Sequence, residues 1–398
     1  MKIETGRGTI SLATLIAIWS ISLVVNLPGL AITPILNNIE AVFPHSSELE
    51  VQLLTILPNL CIIPFVLLSG KLSVSKNKIG ILSVALAIYL ASGIAYFFAG
   101  SMTALIVISC LLGVGCGLVI PIAAGLIADY FTGKYRTKQL GIKSGIANLA
   151  LVVATFTVGW LSRENWHLPF VVYLVPLIPL LLTPLLRSPQ KPMPSAVPPL
   201  PKGSIQWRPL GGAMLLYGVT TYAIGIISYY LPFIAGQYHI NDSQVGVITA
   251  LFFIAVMVAG FILPSVIKCF KSITIQAAIC AMFLGLLIGC KVHNEWIFGA
   301  SSLLLGFGYG IIQPVAYEKA VESSTGRQST LALALVLTMN YAALTVAPFI
   351  VDFFKWVFHT QDPLFPYLFN SAVIGIFLLF SLILRQNFTF NVKSIAYK

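Results

Sequence analysis

The sequence predicts an all-α integral membrane protein with twelve transmembrane helices in two six-helix, pseudo-repeated bundles. Of its 398 residues, 58% are hydrophobic and 9% are charged, whereas soluble domains carry roughly 25% charged residues. A membrane-spanning helix needs about 20 apolar residues with few charges. The chain holds twelve such runs, at residues 12–36, 51–69, 79–98, 102–128, 140–161, 169–186, 210–235, 244–267, 273–290, 296–316, 330–351 and 364–384.

An internal repeat relates the two halves of the chain. The fourth predicted helix carries Gly113, Gly115, Gly117 and Pro121, and the tenth carries Gly306, Gly308, Gly310 and Pro314 at the same spacing, 193 residues later. The offset continues beyond the helices, since Asp129 falls on Glu322 and Thr132-Gly133-Lys134 falls on Thr325-Gly326-Arg327. The two halves are therefore copies of one another.

The repeat divides the chain into two predicted domains. An N-terminal six-helix bundle covers residues 1–186, and a C-terminal bundle covers residues 210–398. The 23 residues between them, 187–209, include seven prolines. Such a proline-rich segment is typical of an extended, semi-rigid linker, which we expect to be cytoplasmic.

The distribution of positive charge predicts the orientation of the helices. The formal net charge is +11, but it is spread over loops and does not indicate a nucleic-acid partner. Placing both termini in the cytoplasm puts twenty of the 23 Lys and Arg residues inside, leaving Arg163, Lys291 and Lys355 outside. Cytoplasmic loops carry an excess of these residues. We therefore expect a multi-pass protein of a bacterial inner (cytoplasmic) membrane, in contact with the lipid bilayer.

The sequence lacks the common catalytic motifs. It contains no Gly-x-x-x-x-Gly-Lys-Ser/Thr phosphate loop, no His-Glu-x-x-His zinc helix and no Gly-x-Ser-x-Gly elbow. We expect no enzymatic activity, no cofactor and no bound metal. Any transport must then draw its energy from a gradient.

Several motifs resemble those of the major facilitator superfamily of secondary transporters. They are the glycine-rich fourth helix followed by Asp129-Tyr130-Phe131 and Arg136, the turn at residues 159–170 with its Trp166, and the basic loop that begins at Gly70. The likeness is closest in style to the drug and metabolite exporter branch. The chain departs from that branch at Val74, where an Asp is usual, at Ser109, where an Arg is usual, and at Ala154-Thr155, which replaces a Gly-Pro pair.

The resemblance implies a function and a place for it. Members of this superfamily hold a small-molecule substrate between their two halves and expose it to each side in turn. By resemblance, we expect a monomeric secondary active transporter that exports a small organic solute in exchange for protons.

Neutral polar residues at mid-depth of the predicted helices are the candidate substrate-binding residues. A buried amide without a partner costs about 1–3 kcal/mol, so each must meet another helix, water or a ligand. A neutral, aromatic cavity suits an amphipathic or aromatic solute, and we expect no Lys or Arg at this depth. The candidates are Asn26, Asn59, Asn148, Tyr222, Tyr229, Gln313, Asn340 and Tyr341.

Charged residues near the inner helix ends are the candidate gate or coupling residues. The sequence predicts that Asp129 pairs with Lys143 or Arg136, and that Glu318 pairs with Lys319 or Arg327. These pairs are expected to hold the inner ends of the two halves together.

Two other functions stay open. The chain is an uncoupled or otherwise coupled facilitator of a neutral metabolite such as a sugar or nucleoside, or it is a transport-inactive membrane sensor or scaffold. Solute flux with and without a pH gradient separates these alternatives.

Overall fold

The fold is built almost entirely from apolar helices. A computed structural model describes residues 2–6, 8–28, 31, 32, 35, 39, 42–46, 48–75, 77–162, 165–186, 205–231, 234, 237, 238, 240, 242–290, 294–325 and 328–384. Within these residues lie twelve α-helices: α1 (Leu12–Ser22), α2 (Glu48–Ser75), α3 (Lys78–Ala95), α4 (Met102–Tyr130), α5 (Gly133–Leu161), α6 (Leu177–Leu182), α7 (Trp207–Tyr229), α8 (Asp242–Phe270), α9 (Thr274–Gly289), α10 (Glu295–Glu322), α11 (Ser329–Val357) and α12 (Phe365–Ile383). Short 3₁₀ turns extend or join them at Tyr96–Phe98, Leu168–Leu174, Thr183–Leu185 and Lys271–Ile273. Each predicted apolar run therefore contains helix.

Most of the helical segments are long enough to span a bilayer. Ten helical segments of the described residues are sufficiently long and apolar to cross a membrane. The longest, Gln244–Gly289, has 46 residues, and as one helix it would be about 70 Å long, more than twice the hydrocarbon thickness. It consists of α8 and α9, joined by a turn in which Lys271 has a φ of 50°. The segment is therefore long enough for two passes, and α1 adds a shorter apolar helix of 11 residues.

Local sequence signals account for several helix starts. The Oγ of Ser11 accepts a hydrogen bond from the backbone N–H of Thr14 at 3.1 Å, at the start of α1. The Oγ of Ser101 does the same for Ala104 at 3.2 Å, at the start of α4. Such caps satisfy backbone donors that have no partner within the helix.

The first predicted helix is interrupted, and the prediction that it continues through Asn26 is wrong. α1 ends at Ser22, and Asn26 lies in the turns that follow. Asparagine favours turns, and Pro28 disfavours the helical conformation in the residue before it. The carbonyl of Val24 in this break accepts a hydrogen bond from Tyr89 Oη at 3.3 Å. A side chain of α3 thus satisfies backbone that a membrane interior cannot leave unpaired.

A two-stranded hairpin precedes α1, and the sequence analysis did not predict it. β1 (Lys2–Glu4) pairs antiparallel with β2 (Thr9–Ser11). The carbonyl of Thr5 accepts a hydrogen bond from the N–H of Thr132 at 3.0 Å, in the turn between α4 and α5. The hairpin therefore holds that turn through its backbone.

The repeat-related turn after α10 is held in a similar way. Ile205, just before α7, forms an isolated antiparallel bridge with Ser324. The N–H of Gln206 donates to the carbonyl of Ser323 at 2.8 Å. In each half of the sequence, an extended segment before the first helix binds the turn after the fourth.

Two compact units make up the chain. Unit 1 comprises Met1–Thr132, Ile146–Gln206 and Val321–Tyr341, and unit 2 comprises Gly133–Gly145, Trp207–Ala320 and Ala342–Lys398. Unit 1 thus includes Val321–Tyr341 from the second half of the sequence, and unit 2 includes Gly133–Gly145 from the first half. The 193-residue repeat relates these two exchanged segments to each other. Residues 187–204 of the proline-rich linker lie outside the described residues, and the division into residues 1–186 and 210–398 stays a prediction.

The glycines of α4 and α10 allow neighbouring helices to approach closely. In unit 1, a Cβ added to Gly117 would lie 2.8 Å from the carbonyl oxygen of Ile62 on α2. In unit 2, a Cβ on Gly310 would lie 2.7 Å from the carbonyl oxygen of Val256 on α8. Small residues at such crossings permit backbone contact between membrane helices. The equivalent glycines therefore have equivalent partners.

Small residues also lie where the exchanged segments pack in their units. In unit 2, a Cβ on Gly260 of α8 would lie 2.7 Å from the carbonyl oxygen of Gly141 on α5. In unit 1, a Cβ on Gly70 of α2 would meet the Cβ of Ala334 on α11. The repeat equates Gly141 with Ala334, so both halves use the same position for this contact.

We expect Gly115→Ala to lower the free energy of unfolding by about 1–3 kcal/mol, the usual cost of overpacking. The added Cβ would lie 2.8 Å from the backbone nitrogen of Tyr89. Gly159→Ala is the matched control, because no atom lies within 4 Å of its added Cβ, and it should be neutral or stabilising by up to about 1 kcal/mol. Thermal denaturation in detergent measures both. Equal melting temperatures for the two variants would contradict the packing account.

Candidate functional site

A polar cluster lies between α7 and α10 in unit 2. Tyr217 and Thr221 are four residues apart on α7, and Tyr309, Gln313 and Tyr317 are spaced by four on α10. Residues four apart share one face of a helix, so each helix presents a polar strip to the other. We call these five residues the polar cluster.

The hydroxyl of Tyr217 is the centre of the polar cluster. It accepts hydrogen bonds from Gln313 Nε2 at 2.9 Å and from Tyr309 Oη at 3.1 Å. These two bonds occupy both acceptor positions of a phenolic oxygen. Tyr217 must therefore donate its own proton to Tyr317 Oη, 3.0 Å away. Thr221 Oγ1 donates to Tyr309 Oη at 3.4 Å and completes a directed chain.

Two residues of α5 extend the polar cluster. The Oγ of Ser144 donates to Gln313 Oε1, and the Nζ of Lys143 lies over the ring of Tyr317, 5.2 Å from its centroid. Lys143 is 2% exposed. It is the eleventh residue of α5. The sequence analysis did not expect a lysine beside these polar residues, and the expectation that no Lys or Arg lies at mid-depth of the membrane stays a prediction.

Within the polar cluster, Gln313 is the residue that stays partly accessible. Tyr217 and Thr221 are fully buried, Tyr309 and Tyr317 are nearly so, and Gln313 is half-buried. Both ends of its amide are bonded, to Ser144 and to Tyr217. A substrate that contacts Gln313 thus meets an amide whose orientation is already fixed.

Two predicted residues on α7 lie apart from these bonds. Tyr222 is 8% exposed, and its hydroxyl has no hydrogen-bond partner among the residues that the structure describes. Tyr229 is half-buried at the end of α7. A buried hydroxyl normally finds a partner, so Tyr222 has hydrogen-bonding capacity that a substrate is able to use.

In unit 1, the structure brings two predicted residues together. Asn26 Nδ2 donates to Asn148 Oδ1 on α5 at 3.5 Å. Asn59 instead donates to the carbonyl of Thr55 in its own helix at 3.1 Å. Asn26 and Asn148 thus form one amide pair, whereas Asn59 uses its amide locally.

The remaining predicted residues of unit 1 lie on α11. Asn340 is buried and Tyr341 is half-buried. They belong to the α11 segment that packs in unit 1. The role of all eight candidates in substrate binding stays a prediction.

Two ion pairs lie near the predicted inner helix ends, and each joins residues that the sequence analysis had not paired. Lys78 Nζ lies 2.7 Å from Asp129 Oδ2, with side-chain exposures of 13% and 23%. In unit 2, Arg136 binds Glu318 Oε1 through Nε at 2.7 Å and also through Nη2. The side chain of Glu318 is 0% exposed.

These contacts revise the predicted pairs. Sequence reasoning assigned Arg136 to Asp129, but the structure pairs Arg136 with Glu318. It assigned Lys143 to the same gate, but the structure places Lys143 against Tyr317. Arg327 lies outside the described residues. Sequence reasoning did not pair Arg136 with Glu318 because the two residues are 182 positions apart in the chain. Hydropathy does not indicate which distant residues contact each other.

Sequence reasoning missed Tyr217, Tyr309, Tyr317 and Ser144 as site residues. Two of these, Tyr309 and Tyr317, lie four residues before and four residues after the predicted Gln313 on one helix. That spacing on an apolar helix marks a polar face and was a usable signal. Ser144 carried no such signal, because its partner lies on a distant helix.

Comparison with known proteins identifies relatives of this chain. The family model described as "Major Facilitator Superfamily" matches residues 10–214 and 213–389. A curated relative, the "Multidrug transporter protein MdtP" of Bacillus subtilis (strain 168), is 33% identical over 108 residues. That alignment spans 27% of this chain and 20% of the relative's length.

Two solved structures share the fold over almost the whole chain. The human organic anion transporter MFSD10 (TETRAN) has a TM-score of 0.72 and 13% identity, covering 92% of this chain and 99% of that one. The proton:xylose symporter XylE, bound to 6-bromo-6-deoxy-D-glucose, has a TM-score of 0.75 and 13% identity, covering 93% of this chain and 95% of that one. At this identity the likeness concerns the fold alone.

Proposed function

This chain belongs to the Major Facilitator Superfamily of membrane transporters, and we propose that it exports a small amphipathic or aromatic solute from a bacterial cytoplasm in exchange for protons. Members of the family are transporters rather than enzymes, and they are multi-pass membrane proteins. To this family membership, the proposal adds the class of solute, the direction of transport and the coupling ion. It places the protein in the inner membrane with both termini cytoplasmic.

The observation that carries the solute class is the polar cluster of unit 2. Three tyrosine rings lie side by side, with Tyr217 stacked on Tyr309 at 5.8 Å between centroids and edge-on to Tyr317 at 5.5 Å. Gln313 remains partly accessible beside them. Aromatic walls with a few oriented polar groups are typical of sites for aromatic solutes.

The proposed direction of transport rests on the resemblance of the sequence motifs to those of exporters. The curated relative is named a multidrug transporter, and it is 33% identical to this chain over the aligned 108 residues. We propose export of aromatic compounds from that resemblance, from the likeness to a multidrug transporter and from the aromatic composition of the polar cluster.

Contacts at the predicted inner ends support alternating access. Arg136 and Gly141 on α5 contact Glu318 and Gly260 of the second sequence half. Gly70 of the first half contacts Ala334 of the second. We propose that these contacts close the cytoplasmic side and that transport requires them to open. Asp129, Arg136 and Glu318 are the gate residues in this proposal.

Glu318 is the proposed proton-coupling residue. Its carboxylate is fully buried and bound to Arg136, and a buried ion pair is costly to separate unless the carboxylate is protonated. Protonation of Glu318 would release Arg136 and weaken the inner contacts. A proton therefore favours opening towards the cytoplasm.

Flux in proteoliposomes tests this function. With an acidic lumen and a neutral outer buffer, the purified protein should accumulate aromatic fluorescent dyes in the lumen, because the lumen stands for the cell exterior. Collapsing the pH gradient with an ionophore should abolish the accumulation, and protein-free liposomes are the control. Equilibration of glucose or uridine without a gradient would instead show a facilitator, and no flux of any solute would show a sensor or scaffold.

A further inference from the structure

We infer that one end of unit 2 binds the headgroup of an anionic phospholipid, with an acyl chain along an exposed strip of α8. The inference concerns a lipid partner and does not depend on which solute is carried. Five exposed cations on the helix ends and turns of unit 2 form the surface, namely Lys134 and Lys138 of α5, Arg208 of α7, Lys268 of α8 and Lys271 in the turn between α8 and α9. We call these five residues the basic end.

Hydrogen bonds place the starts of α5 and α7 beside the end of α10. Glu318 binds the first turns of α5, and Gln313, earlier on α10, binds Ser144, further along α5. The same reversal holds for α7, where Tyr217 binds Gln313, and the residue one turn later binds the residue one turn earlier on α10. Both helices therefore run antiparallel to α10, and their starts lie at its end.

The glycine contacts place the end of α8 at the same position. A Cβ added to Gly306 would meet the carbonyl oxygen of Phe252 on α8. A Cβ added to Gly310, one turn later on α10, would meet that of Val256, one turn later on α8. The two helices therefore run parallel. The last turn of α8, with Lys268, lies at the same end of unit 2 as the starts of α5 and α7.

The exposed charge at this end of unit 2 is positive. Of the acidic residues here, Glu318 is 0% exposed and is bound by Arg136. Asp352, in contrast, lies at the opposite end, because it bonds to Tyr230 just after the end of α7. Within the described part of the chain, none of the five cations of the basic end forms an ion pair. The protein thus leaves this charge for a partner to neutralise.

An exposed strip of α8 leads to the basic end. Val258 and Phe261 are 41% and 42% exposed, and Ser265 and Lys268 follow them as exposed residues. Their intervals of three and four put them on one face of the helix. The helix rises about 15 Å from Val258 to Lys268, which is the depth of one leaflet of the hydrocarbon core. An acyl chain lying on this strip would bring its headgroup to Lys268.

The turn that follows α8 has the composition of a membrane interface. Phe270 and Ile273 are 41% and 40% exposed, and the exposed Lys271 lies between them. On α7, the exposed Arg208 follows Trp207, which is 67% exposed. Apolar and aromatic side chains enter the boundary between acyl chains and headgroups, while lysine and arginine extend towards the headgroups.

The charge of the basic end determines which headgroup it fits. Each Lys or Arg close to a surface of anionic lipid strengthens binding by about fivefold. Phosphatidylglycerol carries one net negative charge. Phosphatidylcholine carries a choline cation beside its phosphate and has no net charge. The basic end should therefore prefer the first lipid to the second.

Native mass spectrometry of the detergent-purified full chain tests the inference, with phosphatidylglycerol and phosphatidylcholine of identical acyl chains as probes. Wild-type protein should bind phosphatidylglycerol more tightly. Lys268→Gln should lower that affinity by about fivefold, and Lys134→Gln with Lys268→Gln by roughly twenty-five-fold, if the two charges act independently. Phosphatidylcholine binding should not change. Lys268→Arg keeps the charge and should retain the preference.

Lys71→Gln is the matched control. Lys71 is an exposed lysine of α2 in unit 1, outside the basic end, and its replacement should leave both lipid affinities unchanged. Equal loss of phosphatidylglycerol binding in Lys71→Gln and Lys268→Gln would overturn the inference, because the lipid would then respond to total charge.

Two further results would also overturn it. Equal affinity of wild-type protein for the two lipids would remove the preference for an anionic headgroup. Glycerol phosphate has the charged group without acyl chains, and at the same concentration it should not displace phosphatidylglycerol. Displacement would show a site for free phosphate esters and would remove the role of the α8 strip.

Discussion

Replacing Glu318 by glutamine is expected to lower accumulation driven by a pH gradient strongly and to destabilise the protein. The variant removes the charge that Glu318 sets against Arg136, whose side chain is 11% exposed. Removing one partner of a buried ion pair costs about 3–5 kcal/mol. Accumulation of dye should fall by at least roughly tenfold, equivalent to about 1.4 kcal/mol, because glutamine cannot take up and release the coupling proton. Thermal denaturation and proteoliposome flux measure the two effects.

A double variant separates stability from coupling. Arg136→Gln with Glu318→Gln replaces the ion pair by two neutral amides and should recover most of the lost stability, because no buried charge remains unpaired. It should still fail to couple flux to a pH gradient, while dye exchange without a gradient persists. Asp129→Asn is the control for stability, since its pair with Lys78 is more exposed and such pairs contribute about 0–1 kcal/mol. Gradient-driven accumulation by the double variant would show that Glu318 is not the coupling residue.

The helix pattern could be predicted from the sequence because it depends on local composition. Each of the twelve apolar runs contains helix, since a bilayer requires about 20 apolar residues wherever the chain crosses it. The spacing of the glycines on α4 and α10 also depends on local sequence, because residues four apart lie on the same face of a helix. The break after α1 was not predicted, since hydropathy does not register that Tyr89 hydrogen bonds to the Val24 carbonyl.

The candidate site was only partly predictable, because its contacts join distant segments. Gln313 was expected at the site, and its binding to Tyr217 follows from the polar faces of α7 and α10. The partner of Glu318 and the position of Lys143 depend on how the first turns of α5 pack in unit 2. The sequence of the first turns of α5 does not specify which helices those turns pack against. The residues that sequence reasoning treated as a gate therefore include one, Lys143, that the structure places against the polar cluster.

Replacing Tyr217 by phenylalanine is expected to destabilise the protein, whereas the same change at Tyr222 is not. The hydroxyl of Tyr217 bonds to Gln313, Tyr309 and Tyr317. Its removal leaves the buried partners unsatisfied at about 1–3 kcal/mol for each unpaired group. Tyr222 has no hydrogen-bond partner among the described residues, so its loss removes no bond and should leave stability unchanged or slightly raised. Thermal denaturation of the two variants in one detergent measures this difference.

Transport by the same two variants tests where the substrate binds. If the hydroxyl of Tyr222 faces the substrate, as we propose, Tyr222→Phe should raise KM for dye flux with little change in melting temperature. Loss of a hydrogen bond to an uncharged group corresponds to a change of roughly twofold to tenfold. Tyr217→Phe should lower the maximal rate together with stability, because it disorders Gln313 and the neighbouring rings. An unchanged KM for Tyr222→Phe would remove Tyr222 from the substrate site while leaving the polar cluster in place, since the two residues share no hydrogen bond in the described part of the chain.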